Sequence, residues 1–66
     1  MHPVEFVRGL LGTKVLVTLR DREEIRGSLK MFDEHFNLMV SDIEGHPAKE
    51  ILFLRSDNVL SITEVA

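Results

Sequence analysis

At 66 residues the chain is expected to be one domain, 1–66, of a size that buries only about 60% of its unfolded surface. It has no cysteine, which excludes disulfide staples and thiolate metal sites, and it has no apolar run near the ~18 residues of a membrane span, so no membrane partner is expected. Its formal charge of −3 argues against a sequence-blind binder of nucleic-acid phosphates, though not against a protein that reads a few exposed bases. Met1-His2-Pro3 does not open like a secretory signal, so a cytoplasmic or nuclear location is expected. Apolar residues make up 44% of the chain, and a small chain this apolar and without staples gains stability by oligomerising.

Pro3 suits the first turn of a helix, where its missing N–H costs nothing. Phe6, Val7, Leu10 and Leu11 then form one helical stripe, with Gly12 just past its end. Gly9 weakens this helix and makes it dependent on packing. From Lys14 the period changes to two, and Val15, Val17 and Leu19 share a strand face. Arg20 to Glu23 reads as a solvated hairpin turn without the Gly or Asn of a tight one. In the second strand Ile25, Gly27, Leu29 and Met31 share a face, and Gly27 marks a bend or a close approach of backbones. A third strand is expected over about Asn37 to Glu44 with Leu38 and Val40 inward, then a turn at Gly45-His46-Pro47. Ile51 to Leu54 is a strand apolar on both faces, and Val59 to Thr63 is a fifth. This order gives a mostly β fold: an N-terminal helix and a strongly bent five-stranded antiparallel sheet, or small barrel. The last two strands are too apolar for open edges. Pairing with the edge of another copy, repeated head to tail, makes a ring or a filament.

Two polar turns carry the chemistry: Asp33-Glu34-His35-Phe36-Asn37 and Arg55-Ser56-Asp57-Asn58-Val59. Together they supply an imidazole, a carboxamide and a guanidinium. Two planar groups can stack on a flat ring such as a base while the amide reads its edge. Nothing places a nucleophile beside a base, and His2, His35 and His46 lack metal-ligand spacing. No enzyme activity, metal or cofactor is therefore expected.

The chain resembles the Sm and Sm-like (LSm) family of RNA-binding ring proteins over nearly its whole length. The first motif spans Val15 through Glu44, with Gly27, Asp33-x-His35-x-Asn37 and Asp42; the second is Phe53-Leu54-Arg55-Ser56-Asp57-Asn58-Val59. The resemblance implies a helix-capped, SH3-like barrel that closes a ring, usually of seven subunits, homomeric or mixed with related subunits. In it the fourth strand of one subunit pairs with the fifth of the next. It also implies binding of single-stranded uridine-rich RNA, in a scaffold for RNA processing or ribonucleoprotein assembly.

By the same resemblance His35 would stack on a base, Arg55 would cover its other face and Asn37 would bond the uracil edge. Asp33 would orient Asn37, and Asp57 would hold Arg55 or brace the turn. Ser56 stands where the family usually has glycine. If that position requires positive φ, Ser56 is strained; if it requires only a small side chain, serine suffices. The plainer readings are a loop histidine at 35, a self-bonded turn asparagine at 37, an edge-strand cation at 55, and core or interface packing at Phe36. The alternative at the level of function is an SH3-like assembly module that recruits a peptide by strand addition and reads no base.

Overall fold

The computed structural model describes residues 2–47 and 50–65. A short helix α1 (Pro3–Arg8) precedes five strands, β1 (Lys14–Leu19), β2 (Glu24–Phe32), β3 (Leu38–Ser41), β4 (Ile51–Leu54) and β5 (Val59–Glu64). A 3₁₀ helix, Ser56–Asn58, leads into β5. All pairings are antiparallel, in the order β4-β3-β2-β1-β5. The fold is the expected one: mostly β, with a helix at one end of a bent five-stranded sheet.

The helix is shorter than its apolar stripe predicts. Pro3 starts it as anticipated, and His2 caps it, its Nδ1 accepting from the Val4 N–H at 3.2 Å. It ends at Arg8, because Gly9 is the cap and its N–H bonds back to the Glu5 and Val7 carbonyls. Leu10 and Leu11 lie in the turns that follow, so only Val7 and Leu10 of the four stripe residues are buried. Gly12, at φ 79°, redirects the chain and donates to the Leu29 carbonyl at 2.9 Å.

Period-two patterning holds along β1, where Val15, Val17 and Leu19 are buried. The hairpin after it closes without Gly or Asn. Arg22 takes the left-handed position at φ 73°, and the Asp21 carboxylate accepts from the Glu23 N–H. On β2, Ile25 and Leu29 point into the core, but Met31 does not: a register shift between Leu29 and Met31 turns Met31 outward, where it is exposed. β3 stops at Ser41, short of Glu44, because Asp42 is left-handed at φ 51°. Leu38 and Val40 face inward as expected. The bend at Gly27 is a close approach: a Cβ there would lie 2.6 Å from the Ser41 carbonyl oxygen and 2.8 Å from Val40 Cγ1. Leu54 closes the core from β4. Among the described residues β4 and β5 are the two free edges, and Ile51, Phe53 and Leu60 stand exposed on them.

Candidate nucleic-acid interface

The pairing of β3 with β4 brings the two polar turns together. Its last register pair is Leu38 opposite Leu54, so Asn37 and Arg55 flank the end of the same ladder. The first turn is held by Asp33. One carboxylate oxygen accepts from the His35 and Asn37 backbone N–H groups, each at 2.9 Å. The other accepts from the Asn37 side-chain amide at 2.9 Å. These bonds hold the Asp33 carboxyl below the usual carboxylate range, the Asn37 side-chain bond contributing most. Phe36 reverses the chain at φ 64°, an uncommon conformation for a bulky residue. Its ring stacks on Phe32, centroids 6.2 Å apart and planes 4° apart, and packs against the core. Phe36 is therefore the inward anchor of a turn whose neighbours point outward.

Asn37 joins the two turns. Its side-chain oxygen accepts the Ser56 backbone N–H at 2.7 Å while its amide nitrogen donates to Asp33. Ser56 opens the 3₁₀ helix and is not among the residues of positive φ. Where the family usually has glycine, a left-handed backbone is thus not required, and Ser56 carries no strain of that kind. Arg55 and Asp57 lie 3.6 Å apart as an exposed ion pair. His35 lies 3.5 Å from Glu34.

His35, Asn37, Phe53, Arg55, Ser56 and Asp57 line one open depression. Asp33 stays outside it and acts on it through Asn37. The His35 and Arg55 side chains are 73% and 75% exposed, so both planar groups are free to close on a ligand. Among the described residues, no three His, Asp or Glu side chains form a metal-binding group, and no helix is long and apolar enough to cross a membrane.

The same Sm-like pattern is found by comparison: the LSM domain model matches residues 5–64. The chain belongs to the LSM domain family. A probable U6 snRNA-associated Sm-like protein of Encephalitozoon cuniculi is 39% identical over 64 residues, covering 94% of this chain and 90% of the relative. The P. aerophilum SmAP1 heptamer superposes with a TM-score of 0.84 at 36% identity, over 97% of this chain and 93% of that one. A Pyrococcus abyssii Sm protein, solved in complex with a uridine heptamer, gives a TM-score of 0.84 at 30% identity, over 98% and 100% of the two chains.

Two residues near this LSM-family site lie within the motifs but are given no part in the site by them. Phe53 forms part of the depression wall; its sequence signal is the i, i+2 spacing to Arg55, which puts both on one side of the chain as it leaves β4. Arg20 reads as part of a solvated turn. It is an exposed turn residue as expected, but its backbone N–H also donates to the Asn58 carbonyl at 2.9 Å and its guanidinium Nε to the Asp57 carbonyl. No local pattern signals that contact across 37 residues.

Proposed function

We propose that this LSM-family chain assembles into a closed ring, with seven copies favoured, and binds single-stranded uridine-rich RNA through one depression per subunit. It serves as a scaffold for RNA processing or ribonucleoprotein assembly and not as an enzyme. The observation that carries this reading is the depression itself. An exposed imidazole and an exposed guanidinium border a carboxamide already fixed by Asp33 and Ser56. His35 and Arg55 would stack on the two faces of a base. Asn37, with one amide hydrogen and one oxygen lone pair still free, would read its edge. Stacking contributes about 1–3 kcal/mol per base and tolerates any base, so selectivity for uridine falls to Asn37 and the neighbouring backbone.

The ring reading rests on the two free edges. β4 presents unpaired backbone with Ile51 and Phe53, and β5 borders an apolar cleft against α1 that includes Phe6, Val7, Leu60 and Ile62. Adding β5 of one copy to β4 of the next would satisfy both edges and cover this surface. The heptameric state of the P. aerophilum relative and the uridine heptamer of the Pyrococcus abyssii relative support the assignment.

Titration of labelled oligouridine and oligoadenine tests it. Tighter binding of oligouridine, with most of the affinity lost in His35→Ala and Arg55→Ala, is expected. Equal binding of the two homopolymers would remove the base-reading role of Asn37. Binding of neither, by a protein that still assembles, would favour an assembly module working through its sheet edges.

A further inference from the structure

The β1–β2 hairpin and the turn carrying Arg55 are far apart in sequence and joined in space at Arg20, through both its backbone and its side chain. The 3₁₀ helix Ser56–Asn58 is a single turn, so its final carbonyls lack partners within the helix. The Asn58 and Val59 N–H groups use the Arg55 and Ser56 carbonyls, leaving those of Asp57 and Asn58 free. Arg20 takes both: its backbone N–H bonds the Asn58 carbonyl and its guanidinium Nε the Asp57 carbonyl. A cation is the favourable partner there, because aligned carbonyls leave partial negative charge at a helix end. Asn37 holds the other end of the same turn through the Ser56 N–H. The turn is thus pinned at both ends, and Arg55 leaves it between an ion pair with Asp57 and the depression.

We infer that Arg20 is a positioning residue for base binding, capping the Ser56–Asn58 turn so that the Arg55 guanidinium is held over the depression. The inference rests on the base-binding reading above and adds a residue from the opposite hairpin to its machinery. Arg20 acts through the turn and makes no contact with RNA.

Arg20→Met separates the capping contact from the rest of the hairpin. It keeps the aliphatic stem and the backbone bond to Asn58 and removes only the guanidinium. Two readouts decide the matter. The first needs no RNA: amide hydrogen exchange at Ser56 and Asn58 should speed up several-fold in Arg20→Met, with exchange at core Leu29 unchanged. The second is oligouridine affinity, which should weaken roughly 3- to 10-fold, the effect of losing one positioning hydrogen bond. Because Arg20 acts through Arg55, adding Arg20→Met to Arg55→Ala should cost little more than Arg55→Ala alone. The salt slope should stay that of the wild type. Unchanged exchange at Ser56 and Asn58 would overturn the inference whether or not the protein binds RNA. A loss that adds in full to that of Arg55→Ala, with the slope reduced by about 0.7, would also overturn it by making Arg20 a direct phosphate ligand. Failure of the wild type to bind oligouridine would refute the base-binding reading, and the exchange data would still decide whether Arg20 sets the turn.

Discussion

At Asn37 one carboxamide performs two internal tasks, receiving the Ser56 N–H and donating to Asp33. The turn role and the base-reading role are therefore compatible, and Asn37→Ala should be felt in both. Its loss of folding stability is expected at about 1–2 kcal/mol in urea melts, for two hydrogen bonds of ordinary net worth. The paired oligouridine and oligoadenine titrations should show a larger loss of discrimination than of general affinity. Ser56 behaves differently from the usual glycine of the family. With no left-handed backbone to relieve, Ser56→Gly should lower stability by roughly 0.5–1 kcal/mol through added freedom of the unfolded chain. A stabilised Ser56→Gly in thermal melts would contradict the 3₁₀ geometry. Asp33 sets an acid limit on the loop. Its folded-state pKa lies below the ordinary value of 3.8, chiefly because of the Asn37 side-chain bond. The stability it contributes is therefore complete above that value and lost as pH falls through the lower, folded-state value. Asp33→Asn should be less stable than wild type at neutral pH and converge with it in urea melts as pH falls through the lowered, folded-state value. Of these features, the residue types at 33, 35, 37 and 55 were legible in the sequence because polar planar groups clustered in two short turns. The backbone at Ser56 was not, because it depends on a helical turn stabilised from Arg20 and Asn37.

Among the elements, the strands follow their period-two pattern wherever a face is buried, and depart from it where the backbone breaks register. The pattern puts Met31 with Leu29, but the shift between them sends Met31 outward. Such a shift leaves no mark in hydrophobicity. The helix stops early for a similar reason: Gly9 and the tight turns after it outweigh the apolar residues at Leu10 and Leu11. Gly27 was legible because a glycine inside an alternating strand forgoes side-chain packing, which is favourable only where backbones bend or crowd together. Gly27→Ala would put its Cβ against the Ser41 carbonyl, a backbone atom that moves only with β3. A stability loss of about 1–3 kcal/mol is expected in denaturant titrations, the usual cost of overpacking. Because β3 leads directly from Asn37, oligouridine affinity should fall in the same variant.

For the whole molecule, the governing fact is that the sheet ends on two apolar edges. Doubly apolar β4 gave this away in the sequence, and the order β4-β3-β2-β1-β5 puts β4 and β5 at opposite limits of the sheet. Phe53→Glu places a charge on one edge, beside the depression, and should yield monomers or aggregates in sedimentation analysis together with loss of oligouridine binding. The formal charge of −3 per chain limits reliance on phosphate neutralisation, so binding should persist at moderate salt. Ring closure and uridine-rich RNA binding are proposed for this chain together. Native mass spectrometry of the purified protein, alone and mixed with oligouridine or oligoadenine, tests both most directly. One closed species, with seven copies favoured, should form and take up oligouridine in preference to oligoadenine. A stable monomer at micromolar concentration, or a ring that takes up both homopolymers equally, would contradict the proposal.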